Sequence, residues 1–257
     1  MASSRSSRRA QPSRLRDEQA TAAGKRAAAE AAAELVAPGM RLGLGTGTTV
    51  AFLLPVLARR GVAGLVCVAT SPATESAARE LGLELRGLDE VGELDLAIDG
   101  ADQVEPSGWL IKGGGAAHTR EKIVAHAARR FVVIVSGDKV VERLSPPVPL
   151  ELVHFGLGHT LRELHPARVR EGLPLSPDGG VIADYFGPIG EPRSLAARLS
   201  ATAGVVEHGL FAPEIVSEIL IGEGDGVNRR AGARTDPLAG DRPAPALNEG
   251  GEAARRG

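Results

Sequence analysis

The residues Arg41-Leu42-Gly43-Leu44-Gly45-Thr46-Gly47-Thr48-Thr49 pass from a short apolar run, through alternating glycines, into a helical stretch that begins at Thr48. Glycine lets the main chain approach a neighbour closely, and the first turn of a helix leaves backbone N–H groups without intrahelical acceptors. A strand that enters a helix in this way is half of a β-α-β unit, which a parallel sheet must complete. Three threonine hydroxyls beside those N–H groups also make the turn a candidate seat for an anion such as phosphate. A tight strand-to-helix turn of no functional significance has the same composition, so the segment alone does not establish a site.

The alternation continues on both sides. Helices are expected over 17–36, 48–60, 72–81 and 116–130, and strands over Arg41–Leu44, Leu65–Ala69, Leu94–Ile98 and Phe131–Val135. Pro38-Gly39 stops the first helix, and Ser71-Pro72 supplies an N-cap followed by proline in the first turn. Because the strands are mostly apolar rather than alternating, they predict burial on both faces: an open, mostly parallel, Rossmann-like α/β sheet with helices on both sides. After Pro146-Pro147 the pattern changes to strand 150–154, helix 156–164, strands 167–171 and 180–184, helix 192–203 and strand 205–208. That order, β-α-β-β-α-β, predicts a small split-βαβ, ferredoxin-like α+β domain. The expected division is therefore 16–148 with 209–228 as the larger domain and 149–208 as the smaller, flanked by unstructured tails at 1–15 and 229–257.

The 257 residues are 43% hydrophobic, enough for a packed core of this size, and carry a formal net charge of -2, which offers no general attraction to nucleic acid. No run approaches the roughly 18–20 apolar residues that cross a bilayer. Cys67, the single cysteine, sits in the apolar run Leu65–Ala69 and reads as a core residue, which suits a reducing cytoplasmic compartment. A small, polar, dissolved ligand is the expected partner. Only Lys25, Lys112, Lys122 and Lys139 are lysine among 30 basic residues, which draws attention to positions where arginine does not substitute for a compact ammonium.

Three further segments carry chemistry. Asp99-Gly100-Ala101-Asp102 follows the strand ending at Ile98, at the sheet edge where ligands enter, so its carboxylates are candidates for proton handling or for binding hydroxyls. Lys112-Gly113-Gly114-Gly115 precedes the helix containing Arg120-Glu121-Lys122; Lys112 is a candidate to neutralise an oxyanion and Glu121 to act as general base. Ser136-Gly137-Asp138-Lys139 follows the last strand of the larger domain and makes Lys139 a candidate phosphate counter-ion. Each has a plain alternative: an Asp-Gly turn, an exposed helix glutamate, a solvated lysine. A dinucleotide fingerprint fits poorly, because Val50 stands where glycine or alanine is wanted and no acid appears about 20 residues on. The spacing of His154, His159 and His165 does not suit a metal site, and His118, Trp109 and His208 read as packing or surface residues.

Together, Gly43–Thr49, Asp99–Asp102, Lys112–Gly115 and Arg120–Lys122 resemble, in order and spacing, the motifs of the type A ribose-5-phosphate isomerase family. The similarity runs from about residue 20 to 228 and includes Gly204–Phe211, Leu220–Gly222 and Asp225–Val227. It implies a phosphate-binding loop at Thr46, Gly47, Thr48 and Thr49 with Lys25 and Lys139 beside it. It implies substrate-binding carboxylates in the segment Asp99, Gly100, Ala101 and Asp102, reacting carbons near Lys112, Gly113, Gly114 and Gly115, and Glu121 as proton acceptor. The implied reaction interconverts ribose 5-phosphate and ribulose 5-phosphate through an enediolate, in the non-oxidative pentose phosphate pathway. No metal or cofactor is implied, and a homodimer or homotetramer is. Departures are Thr48 for serine, Gln103 for a common acid, and Ser136 where aspartate is frequent, with Asp138 two residues along. A sugar-phosphate sensor without catalysis is the alternative of another class, and it lacks a recognisable effector element. A deaminase or lactonase would be expected to use histidine-containing acid/base machinery, and none accompanies these motifs.

Overall fold

A computed structural model describes residues 11–235; of the tails expected over 1–15 and 229–257, residues 1–10 and 236–257 lie outside the described residues. The chain begins with α1 (Gln11–Ala33), β1 (Arg41–Leu44), α2 (Thr48–Arg60), β2 (Val66–Ala69), α3 (Pro72–Glu80), β3 (Glu84–Leu85), α4 (Leu88–Val91) and β4 (Leu94–Asp99). β5 (Gln103–Val104), β6 (Leu110–Ile111), α5 (His118–Ala127) and β7 (Ala128–Ser136) complete its first half. Then come β8 (Val148–Leu152), α6 (Leu157–Glu163), β9 (Ala167–Val169), β10 (Val181–Tyr185), α7 (Pro192–Ala201) and β11 (Val205–His208). β12 (Leu210–Phe211), β13 (Glu218–Glu223) and β14 (Gly226–Ala231) close the described chain.

The main sheet has the order β14-β13-β7-β4-β1-β2-β3. All its pairs are parallel except β13 with β14. Chain order reverses between β1 and β4, and beyond the carboxyl ends of two such strands lies the crevice where open α/β sheets take their ligands. Both faces are covered, as the apolar strands require: Val132 and Ile134 of β7 pack with α1 and α2, while Phe131, Val133 and Val135 pack with Val124 and Ala125 of α5. Helix α2 buries Val50, Leu53, Leu54 and Leu57, spaced as one helical face, and stops at Gly61, whose φ of 54° is left-handed. The Ser71 hydroxyl caps α3 by accepting from the Thr74 N–H at 3.2 Å.

β8 to β11 form an antiparallel sheet in the order β11-β8-β10-β9, the ferredoxin-like arrangement expected of β-α-β-β-α-β. A third sheet, β12-β6-β5, joins the two layers. Leu110 and Phe211 enter the core of the main sheet, while Trp109, Ile111 and Leu210 enter that of the smaller one. The glycine segment that follows β6 therefore lies at a junction fastened on both sides.

Several sequence expectations shift. Helix α1 reaches back to Gln11, so 11–15 are helical rather than tail; Pro12, within the first turn, forfeits no intrahelical hydrogen bond. α5 stops at Ala127 instead of 130, because Ala128 and Arg130 pair with Leu94 and Leu96 of β4, and tertiary pairing outweighs local helix propensity. The strand expected at 150–154 is β8, two residues earlier, paired along its length with β10. At the other end, residues 229–231 belong to β14, and the Arg234 guanidinium donates to the Ala125 carbonyl at 3.1 Å, so the chain is ordered past 229. The two-residue strands and α4 are too short to show a period in the sequence. Among the described residues, no helix is long and apolar enough to cross a membrane.

Candidate active site

The turn after β1 is tied to the end of β4 by the Gly45 N–H, which donates to the Ile98 carbonyl at 2.9 Å. A Cβ on Gly45 would fall 1.9 Å from the Asp99 carboxyl carbon, so glycine is what allows Asp99 to stand beneath the turn. The N–H groups of Thr46 and Gly100 donate to Asp99 Oδ1 at 3.0 and 2.7 Å. Lys112 Nζ lies 2.8 Å from Asp99 Oδ2 and 3.1 Å from Glu121 Oε2, and donates to the Gly100 carbonyl at 2.5 Å. None of the three side chains is more than 4% exposed. Phe211 lies against this cluster, its ring centre 5.4 Å from the ammonium.

Two carboxylates thus share one ammonium in a dry pocket. Burial first, then the charge of Asp99, pushes the Glu121 carboxyl up to about 8, against the pull of Lys112. Burial likewise raises Asp99, opposed by Lys112 and by the Gly100 and Thr46 amides. For Lys112 burial acts downward, but Asp99 and Glu121 outweigh it, so its pKa is raised and the ammonium stays charged. A carboxyl that exchanges its proton near neutral pH, beside a fixed cation, has the properties of a general base next to an oxyanion stabiliser.

The opposite end of the cleft is open to solvent. Gly47, with φ 108°, leads into α2, and Gly47 and Thr48 are exposed there. Lys25 Nζ donates to Thr48 Oγ1 at 2.8 Å. Its reach depends on a close crossing of α1 over β13, where a Cβ on Gly222 would fall 1.8 Å from the Gly24 carbonyl oxygen. Lys139 lines the same cavity, and Asp138 Oδ2 lies 3.6 Å from its ammonium. Ser136 donates its hydroxyl to Asp138 Oδ1 at 2.5 Å and holds that carboxylate.

Thr46, Gly47, Thr48, Thr49, Gly100, Ala101, Asp102, Lys112, Gly113, Gly114, Gly115, Glu121 and Lys139 border one cavity; Asp99 joins it through Lys112, and Lys25 through Thr48. Two of them have engagements that the sequence does not suggest. Thr46 gives its N–H to Asp99 and pairs its hydroxyl with Thr70 at 2.8 Å, so it braces the turn. Asp102 Oδ2 accepts the Gly114 N–H at 2.7 Å and fastens the glycine segment. Gly113 has φ 104°, and a Cβ there would fall 2.7 Å from His118 Nδ1.

Lys122 faces away from the cavity, donating to Glu207 Oε1 at 2.6 Å and to the His208 carbonyl at 2.7 Å, and so ties α5 to β11. His118 and His208 are buried, and burial, aided by Lys122, lowers each to about 4, which keeps both neutral. Among the described residues, no three His, Cys, Asp or Glu side chains are grouped to hold a metal ion. A larger groove of about 1070 Å³, lined in part by Ile123, Val153, Phe155 and Val206, lies elsewhere and lacks the lysine-carboxylate cluster. Sequence reasoning missed Thr70, Asp184 and Arg170. Arg170 donates to the Gly113 and Gly114 carbonyls at 3.1 Å each, but in an arginine-rich chain it carries no local signal.

The family model described as ribose 5-phosphate isomerase A (phosphoriboisomerase A) matches residues 66–226. Ribose-5-phosphate isomerase A of Caulobacter vibrioides is 45% identical over 219 residues, which cover 80% of this chain and 96% of that protein. Among solved structures, ribose 5-phosphate isomerase A from Neisseria gonorrhoeae aligns with a TM-score of 0.79 at 32% identity, covering 83% of this chain and 98% of that one. A D-ribose-5-phosphate isomerase in complex with phospho-erythronic acid aligns with a TM-score of 0.76 at 34% identity, covering 80% and 97%.

Proposed function

The chain belongs to the ribose 5-phosphate isomerase A family, and from that premise we propose that it interconverts D-ribose 5-phosphate and D-ribulose 5-phosphate with Glu121 as the base. The observation that carries the residue assignment is the buried Lys112 ammonium set between Asp99 and Glu121. Glu121 removes the proton from C2 of the open-chain aldose, and the C2–H electron pair becomes the enediolate double bond. The same carboxyl returns the proton to C1. Lys112 and N–H groups of the glycine segment bear the charge on the enediolate oxygen, while Asp99 assists ring opening and moves a proton between O1 and O2. Asp102 orients a sugar hydroxyl. The phosphate sits at the exposed start of α2, on Gly47, Thr48 and Thr49, between Lys25 and Lys139. A site that binds without reacting has no need of a buried base whose carboxyl is pushed up to about 8, which favours catalysis over the sensor reading.

The same reading takes residues 16–148 with 209–228 as the catalytic domain and 149–208 as a smaller one, in a cytoplasmic homodimer or homotetramer. The apolar side chains Ile123, Val153, Phe155 and Val206, all exposed and all on one groove, support self-association. Proton exchange tests the reaction: ribose 5-phosphate is followed by NMR in D₂O with EDTA present, for the parent protein and for Glu121→Gln. Ribulose 5-phosphate carrying solvent deuterium at C1, formed by the parent alone, is the expected result. Binding without conversion or exchange by the parent would favour the sensor.

A further inference from the structure

We propose that Arg170 is a positioning residue for this isomerisation, aiming the Gly115 N–H at the reacting oxygen by holding the carbonyls on the other side of the glycine segment; the inference rests on the isomerase reading above. Arg170 follows β9 in the smaller sheet, with its own N–H on the Ile182 carbonyl at 2.9 Å. Its Nη1 donates to both Gly113 O and Gly114 O at 3.1 Å. Its Nε and Nη2 donate to Asp184 Oδ2 and Oδ1 at 2.8 and 2.5 Å. Asp184 pairs with Arg168 across β9 and β10, so Arg170, two residues on, shares the face of that carboxylate. A planar guanidinium engaged along two edges has one orientation, and lysine does not reproduce it.

A trans peptide points its C=O and N–H in opposite directions. The peptide between Gly113 and Gly114 is gripped at both ends, its carbonyl by Arg170 and its N–H by Asp102 Oδ2 at 2.7 Å. The next peptide has its carbonyl on Arg170 as well, which turns the Gly115 N–H away from the guanidinium, and Gly115 borders the cavity that Lys112 and Glu121 line. The charge on Arg170 also polarises both peptides and strengthens their N–H groups as donors. Within the segment, Gly113 O also accepts the Ala116 N–H at 3.0 Å, but the Gly114 carbonyl is held from outside, by Arg170, and three successive glycines offer no side chain to fix it.

The test measures kcat and KM on ribose 5-phosphate, and Kd for inorganic phosphate, for the parent, Arg170→Ala, Arg170→Lys and Asp184→Asn. Circular dichroism at the assay temperature confirms that each is folded. Arg170→Ala is expected to lose about 10- to 100-fold in kcat while KM and phosphate Kd stay within about threefold, because the anion end of the cleft is untouched. Arg170→Lys and Asp184→Asn are expected to lose a smaller share of kcat with the same split, and they carry the comparison if Arg170→Ala does not fold. Folded variants with kcat within about twofold of the parent would overturn the inference, as would equal losses of kcat and phosphate affinity, which mark a merely structural role. An inactive parent would overturn the isomerase reading and this inference with it; an active parent with unimpaired variants would overturn the inference alone.

Discussion

Glu121 Oε2 lies 3.1 Å from Lys112 Nζ, although the glycine segment and the first turn of α5 separate the two residues in the chain. The buried position that raises the carboxyl is also what places it against a permanent cation. In the proposed mechanism, a base with a raised pKa and a charge that stabilises what the base creates thus come from one packing arrangement.

Glu121→Gln keeps the shape of the side chain and removes its basicity. Turnover is expected to fall by about 10²–10⁴-fold while phosphate binding is retained, since the proposed anion end is at Gly47–Thr49, Lys25 and Lys139. Steady-state kinetics with a parallel phosphate titration check this, and near-parental kcat would move the base elsewhere.

The pH profile carries a sign. A carboxyl pushed up to about 8 acts as a base only when ionised, so kcat/KM is expected to climb with pH up to about 8. Stability runs the other way. The folded-state value lies above the ordinary 4.5, so between these limits the folded protein holds a proton that the unfolded chain has released, and stability falls as pH rises through that window. Glu121→Gln lacks this loss, so its Tm advantage over the parent is expected to grow from pH 5 to pH 8, reaching more than about 2 °C.

Lys112→Met leaves Asp99 and Glu121 buried without their counter-charge. The expected cost is about 3–5 kcal/mol in urea unfolding, growing with pH as the carboxyls ionise, together with loss of turnover. A variant as stable as the parent at pH 8 would show that the carboxylates find another partner.

Gly45→Ala places a Cβ 1.9 Å from the Asp99 carboxyl carbon, and the carboxylate must move. About a 10²-fold fall in kcat is expected, from misplacement rather than from lost chemistry. If that is the cause, adding Gly45→Ala to Asp99→Asn costs little more, which a double-mutant cycle reads directly.

Lys25→Ala and Lys139→Ala address the exposed end. Each is expected to raise KM about tenfold with kcat little changed, and more so at low salt, where the charges are less screened. Equal effects in low and high salt would argue against a phosphate contact.

Much of this molecule was legible from local chemistry. The apolar runs at Leu96–Ile98 and Phe131–Val135 required burial on both faces, and the Ser71-Pro72 start of α3 followed from capping alone. The glycine, carboxylate and lysine motifs were visible as segments because each is contiguous in the chain. What was not legible depended on neighbours distant in sequence. Ala128–Arg130 look helical by composition and become strand because β4 lies alongside. Thr46 looks like an anion donor, yet its N–H and hydroxyl are taken by Asp99 and Thr70.

Arg170 is the clearest instance. Nothing in its local sequence separates it from the other arginines, and its importance arises only where the antiparallel sheet meets the glycine segment. Local propensity and apolar period act over a few residues, so the order of amino acids alone determined β1, β2, β4 and β7 to β11, the main helices and the motif segments, but not β13 and β14. Hydrogen bonding and desolvation act on whatever the fold brings within a few ångströms, whatever the distance along the chain. Only folding could therefore decide that Glu121 is dry and raised, that Lys122 faces away while Lys112 faces in, and that Arg170 holds the loop between them.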